Sequence, residues 1–147
     1  MSYRLRPDES IADGLRRLAK KELRSARDQL RSRGPRDEAI HEARKSVKKV
    51  RAILQLIEAD EGRGVSDSAK RLREVNRTLS RVRDTSVAVE TLAALKREEP
   101  DLFKGVYARL RRSLIARKRE ATRAAARDGM FDDTARQLEK LRRIARD

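Results

Sequence analysis

One segment of the chain, residues 40–57, carries two parallel stripes of side chains at helical spacing. Apolar residues recur there in steps of three and four, which is the period of an amphipathic helix with one buried face. Polar, mainly cationic residues recur with the same steps about one third of a turn away. We therefore expect a helix that turns one stripe into a core and directs the other to one side of it. The apolar stripe is Ile40, Ala43, Val47, Val50, Leu54 and Ile57, and the cationic row is His41, Arg44, Lys48, Arg51 and Gln55.

The net charge of the chain indicates an anionic partner without identifying it. The 147 residues contain 39 Lys and Arg against 24 Asp and Glu, which gives a formal charge of +15. A field of this sign concentrates anions and makes their association fast and sensitive to salt. Only 3% of the residues are aromatic, so side chains on which nucleobases stack are scarce.

Several other classes of protein lack support in the sequence. The chain has no Cys and a single His, so neither a transition-metal site nor a catalytic triad has candidate residues. The six glycines never form a phosphate-binding loop. We therefore expect no cofactor and no enzymatic activity. No apolar run approaches the length of a membrane span and no signal region is evident, so we expect a cytoplasmic protein without membrane insertion.

The periodicity of the whole chain predicts an all-α fold in a single domain, residues 1–147. We expect an antiparallel bundle of four long helices followed by a short C-terminal helix. Gly34 and Pro35, the glycines at 62 and 64, and Pro100 mark the ends of the first three helices. The fourth helix is expected over about residues 101–126 and the last over about 132–146. Residues 84–86 are a point at which the third helix could kink or break.

A second polar row lies in the third predicted helix, with the same offset from its apolar stripe. Antiparallel helices joined by a short turn are neighbours, so the rows of the second and third helices are expected to meet over one groove. Evenly spaced cations suit a repeating phosphate backbone, to which Arg offers a bidentate fork and Lys a point charge. The polar row is Arg73, Asn76, Ser80 and Arg83, bordered by Arg77 and Asp84, and Lys45 borders the cationic row.

Two sets of charged residues also have a simpler interpretation. Taken alone, His41 is better interpreted as a histidine that satisfies a backbone carbonyl at the start of a helix, whereas within the cationic row a ligand contact fits equally well. Basic residues of the first predicted helix lie mostly away from its apolar stripe, and for them a solvated outer face is the favoured interpretation. These residues are Arg17, Lys20, Arg24, Arg27 and Arg31.

The run of His41, Arg44, Lys48, Lys49 and Arg51, followed by residues 54–57, resembles the signature of CHAD domains, an all-helical family. Residues 72–73, 79, 83–84 and 87 are similar to the second recognisable segment of that family. The resemblance extends over roughly residues 8–146. It implies binding of inorganic polyphosphate through basic residues of a central groove or pore, and association with polyphosphate granules. It assigns polyanion contacts to His41, Arg44, Lys48, Lys49, Arg51, Arg73 and Arg83, and Lys45 and Arg77 complete the candidate site.

The chain departs from the pattern of this family in three respects. Lys48 and Lys49 occupy a pair in which Arg is common, so charge is kept but bidentate geometry is lost. Ser80 stands where glycine is usual. CHAD domains typically pair two related bundles, each with a histidine motif, and this chain matches one half. We expect either a part of a longer protein or a half-length form whose homodimer rebuilds a two-sided groove.

Three functions remain compatible with these patterns. A polyphosphate-binding module is favoured by the ordered row and by the resemblance. A nucleic-acid-binding helical protein is the alternative, because a charge of +15 attracts any phosphate backbone, although no DNA-reading module is recognisable. A structural or membrane-surface protein is less favoured, because the apolar stripes are needed within the bundle and Trp is absent.

Overall fold

A computed structural model of the chain describes residues 4–61, 66–101 and 103–144. Within these ranges no strand is present, and the all-α class is confirmed. The predicted glycine boundary at residues 62–64 and the predicted end of the last helix at residue 146 lie outside the described residues. The helices are α1 (Ile11–Arg31), α2 (Arg36–Glu61), α3 (Ser66–Glu98), α4 (Tyr107–Arg127) and α5 (Met130–Ile144).

Polar side chains satisfy backbone groups at both ends of α1. Ser10 caps the N-terminus, where its hydroxyl accepts a hydrogen bond from the amide of Asp13 at 3.1 Å. At the other end, the guanidinium of Arg36 donates to the carbonyl of Leu30 at 2.9 Å and to that of Gly34 at 3.1 Å. Carbonyls in the last turn of a helix lack helical partners. Arg36 therefore holds the start of α2 against the end of α1.

The hydrophobic core lies among α1, α2, α3 and α5. The predicted apolar stripe of α2 is buried at every position, and α5 contributes Phe131, Ala135, Leu138 and Leu141. Helix α3 runs without interruption through residues 84–86, so the predicted break is absent. Consecutive helices of this core are joined by short connections, which makes them neighbours in a bundle.

Helix α4 contributes less to the core than its sequence pattern predicts. It begins at Tyr107, later than expected, because turns occupy residues 103–106 and Gly105 adopts a φ of +85°. Leu110, which recurs at helical spacing with other apolar residues of this segment, is 38% exposed, and Ala125 is the buried residue of this helix. Seven Arg and Lys118 lie within its 21 residues. Because so many charges cannot be enclosed, α4 lies along α3 and α5 takes its place in the core.

No helix in the described ranges has the length and apolar character that crossing a lipid bilayer requires.

Candidate functional site

Two side-chain contacts establish how α2 and α3 lie beside each other. The Nε of Arg44 donates to the Oδ1 of Asn76 at 3.4 Å, a long hydrogen bond. Nearer the start of α2, the hydroxyl of Ser86 donates to the Oδ1 of Asp37 at 2.8 Å. Contacts move backward along α3 as they move forward along α2, so the two helices run antiparallel. The cationic row and the polar row of α3 therefore adjoin at Arg44 and Asn76, the neighbouring arrangement predicted from the sequence.

The cationic row lies at the surface with its charges uncompensated. His41 and Lys48 are exposed, whereas Arg44 and Arg51 are partly buried. Among the residues that the structure describes, no carboxylate oxygen lies within 4.0 Å of a side-chain nitrogen of these four. His41 also makes no hydrogen bond to a backbone carbonyl in the described ranges, so the simpler interpretation of this histidine is not observed.

The basic residues of α3 fall into two groups. Arg73 and Arg77 are exposed and have no ion-pair partner within the described part of the chain. Arg83 instead donates to both carboxylate oxygens of Glu90 at 3.2 Å, and its side chain is 13% exposed. Arg83 is therefore held by its own helix, whereas Arg73 and Arg77 keep their hydrogen-bond donors available.

Two further candidates on α2 bind carboxylates. The ammonium of Lys45 lies 3.3 Å from the Oε1 of Glu42, one turn earlier on the same helix. That of Lys49 lies 4.0 Å from the Oε1 of Glu22 on α1. Lys49 thus reaches toward α1, whereas Arg44 reaches toward α3. The structure therefore brings Arg44 together with α3 and directs Lys49 to the other side of α2.

An acidic residue stands at the N-terminal end of the cationic row. Asp37 precedes His41 by four residues and so lies on the same side of α2. It accepts the hydrogen bond from Ser86 and forms an ion pair with Lys118 of α4. Asp37 therefore joins three helices, and Lys118 neutralises a charge that would otherwise oppose the row.

Sequence reasoning missed the roles of Asp37 and Lys118. Asp37 continues the row by one step of four, and this spacing was the available signal. Lys118 carried no comparable signal, because its partner lies 81 residues away and the pairing depends on how α4 packs. A set of exposed arginines on α4 was also missed, although their density in the sequence is high. Arg109, Arg111 and Arg117 belong to this set and have no ion-pair partner among the described residues.

Across the described ranges, no group of three His, Asp or Glu side chains is arranged to hold a metal ion. What the cationic row offers is a line of hydrogen-bond donors with positive charge, flanked by the amide of Asn76. Such donors bind the oxygens of phosphate or carboxylate groups.

Comparison with known families identifies the fold. The model of the CHAD domain family matches residues 15–146, which is nearly the whole chain. The chain belongs to the CHAD domain family. No curated protein and no solved structure matches it. The resemblance noted in residues 41–57 and 72–87 is thereby confirmed, and helices α2 and α3 of this CHAD domain lie entirely within the matched range.

Proposed function

We propose that this CHAD domain binds inorganic polyphosphate along the groove between α2 and α3, without catalysing a reaction. The observation that supports this proposal is the row of cations on α2, which lies beside the polar row of α3 and lacks internal carboxylate partners. Binding of polyphosphate is the known role of the family. The proposal also includes the expected location of the protein, which is the cytoplasm in association with polyphosphate granules.

The spacing of the row suits a linear chain of phosphates. Arg44, Lys48 and Arg51 follow one another at about 4.5–6 Å along the helix axis, so each can contact a different phosphate group. Asn76 accepts the hydrogen bond from the Nε of Arg44. The two terminal NH2 groups of the Arg44 guanidinium remain available for a bidentate contact with phosphate. We therefore assign Asn76 the role of positioning Arg44. His41 extends the row and can donate one ring hydrogen when neutral or two when protonated.

The aromatic residues argue against a site for nucleobases. Phe131 is buried in the core, and the ring of Tyr107 is covered by the ammonium of Lys96 at 5.2 Å from its centre. Phe103 precedes α4, Tyr3 lies outside the described residues, and the sequences of α2 and α3 contain no Phe or Tyr. Nucleic acid can thus be held here through its phosphates, without the base stacking that strengthens single-strand binding.

Paired substitutions in the groove test the proposal. We expect Arg44→Ala with Arg51→Ala to weaken binding of long-chain polyphosphate by about tenfold to a hundredfold, since two charged contacts of about 1 kcal/mol or more each are lost. The control is Arg109→Ala with Arg117→Ala, which removes the same charge from exposed positions on α4. Isothermal titration calorimetry measures both, with circular dichroism to verify the helices.

The result that would contradict the proposal is an equal loss of affinity in the two double variants, because binding would then follow net charge alone. A competition experiment separates the alternative ligand. Long-chain polyphosphate should displace DNA and RNA at a far lower concentration of phosphate groups, and the reverse order would favour nucleic acid. Both experiments should be repeated at several salt concentrations, since contacts with phosphate weaken as salt rises.

The proposal includes a homodimer that rebuilds a two-sided groove. A symmetric dimer would place a second cationic row opposite the first. Two copies, each with a charge of +15, repel each other, so a polyanion between them would favour association. Light scattering with and without polyphosphate measures the mass, and a monomer under both conditions would eliminate the dimer.

A further inference from the structure

A basic depression lies between α1 and the end of α5, away from the groove. Its volume is about 730 Å³, which falls within the range of sites for small ligands. None of its lining residues belongs to α2 or α3. Asp13 is one lining residue, and its carboxylate lies 3.7 Å from Arg16. Six cationic side chains make up the remainder of the lining, namely Arg16, Arg17, Lys20, Lys21, Arg24 and Arg142.

Ion pairs hold two walls of this depression in place. Arg17 donates to the carboxylate of Glu9 through Nη2 at 2.6 Å and through Nε at 3.1 Å. Arg142 donates in the same way to Glu139, at 2.7 and 3.1 Å. These hydrogen bonds lower the pKa of both carboxyl groups to about 2. Both acids are therefore ionised at neutral pH, and their arginines serve as fixed supports.

Three cations of the lining remain uncompensated. Lys20, Lys21 and Arg24 have no carboxylate within 4.0 Å among the described residues. They lie within about one turn of α1, so their charges converge on a region about 6 Å long. Like charges this close repel one another, and a bound anion relieves that repulsion. Among the basic residues of α1 predicted to form a solvated outer face, Arg24 and Arg31 are exposed, whereas Lys20 is only partly exposed.

We propose that this depression is a second anion site that binds a compact oligophosphate, a small molecule with several phosphate groups close together. The converging charges of Lys20, Lys21 and Arg24 match a ligand with a high density of negative charge. The ammonium group of lysine is a point charge and can bind such an anion from many directions. The lining contains no aromatic side chain, so a nucleobase gains nothing there. Long-chain polyphosphate instead matches the extended cationic row on α2. The two sites therefore prefer phosphate ligands of different length.

Tripolyphosphate is the probe for this site, titrated into the full-length chain by calorimetry. We expect Lys20→Gln, Lys21→Gln and Arg24→Gln together to weaken its binding by about tenfold or more. The control combines Arg109→Gln, Arg111→Gln and Arg117→Gln, which removes the same charge from exposed positions of α4. This control should change the affinity by less than about threefold. Equal losses in the two triple variants would overturn the proposal.

Amide chemical shifts of the unmodified chain provide a test that does not depend on the folding of any variant. With tripolyphosphate, the largest shifts should occur in residues 13–24 and near Arg142. Shifts confined to α2 and α3 would overturn the proposal. ATP carries the same three phosphates and should bind no more tightly than tripolyphosphate, because its base finds no stacking partner. Tighter binding of ATP would contradict the assigned class of ligand.

The two proposals can fail separately. The variant with Arg44→Ala and Arg51→Ala should still bind tripolyphosphate like the unmodified chain, because both residues lie outside the depression. If this variant no longer binds tripolyphosphate while the triple variant of α1 still does, the depression is not an anion-binding site and the α2–α3 groove binds both ligands. If binding of long-chain polyphosphate is unchanged by Arg44→Ala with Arg51→Ala, but binding of tripolyphosphate is weakened in the triple variant of α1, the proposed function fails and the second site stands.

Discussion

Replacement of Asp37 by Asn should change stability and polyanion binding in opposite directions. The substitution keeps the shape of the side chain and removes its charge. An acidic residue in the first turn of a helix contributes about 0.3–1 kcal/mol through the helix dipole. The ion pair with Lys118 involves side chains that are 31% and 32% exposed, and such pairs contribute about 0–1 kcal/mol. With a weaker hydrogen bond from Ser86, we expect the free energy of unfolding to fall by about 1–2 kcal/mol.

Binding of polyphosphate should become tighter in the same variant. Asp37 lies about 6 Å along the axis from His41, at the end of the cationic row. Its negative charge opposes a bound polyanion, and it also neutralises Lys118. A unit charge at about 8 Å in water is worth about 0.5 kcal/mol before screening, and loss of the Asp37 charge is the whole change, because Lys118 is charged with or without it. At physiological salt we expect an affinity higher by no more than about twofold.

Glu38→Gln is the matched control, since it removes one charge from the same first turn of α2. Glu38 is exposed and makes no side-chain hydrogen bond or ion pair with α3 or α4 in the described ranges. Urea unfolding followed by circular dichroism gives the stability, and calorimetry gives the affinity at two salt concentrations. An Asp37→Asn variant that loses both stability and affinity would refute the reasoning, because Asp37 would then hold the row in position instead of opposing its ligand.

Two further predictions concern the fold. Leu138→Ala removes a fully buried side chain of α5 and should cost about 3–5 kcal/mol, whereas Leu110→Ala on α4 should cost less than about 1.5 kcal/mol. Equal shifts of the urea midpoint would contradict the assignment of α5 to the core. Hydrogen bonds from Arg142 and then from Arg27 lower the pKa of Glu139 from 4.5 to about 2. Between these values the unfolded state binds more protons, so stability falls as pH drops from about 4.5 towards 2. Glu139→Gln should flatten that dependence between pH 5 and 2, and an unchanged slope would argue against this cause.

The sequence was sufficient to predict the parts of the structure that depend on local periodicity. In α2, burial of Val47 and exposure of Lys48 both follow from the helical repeat, because neighbouring residues point about 100° apart. The meeting of Arg44 with Asn76 needed one further premise, that a short turn makes α2 and α3 antiparallel neighbours. The helical repeat is set by residues close together in the chain, and the contact of Arg44 with Asn76 follows once consecutive helices are taken as antiparallel neighbours.

The choice between α4 and α5 as the last wall of the core depends on residues far apart. Leu110 and Leu138 both recur at helical spacing, so periodicity gave no basis for burying one and exposing the other. Gly129, with a φ of +68°, turns the chain back toward α1. The pairing of Lys118 with Asp37 and of Lys49 with Glu22 likewise depends on tertiary packing, which no local pattern encodes.

Because α4 lies outside the core, the positive charge that it carries is largely independent of the stability of the fold. Because most of its surface is exposed and Ala125 is its buried residue, arginines can be gained or lost there with little effect on folding. The same helix carries a large share of the positive charge of the chain. Substitutions on α4 in related chains can therefore change the attraction for anions while the core formed by α1, α2, α3 and α5 remains unchanged.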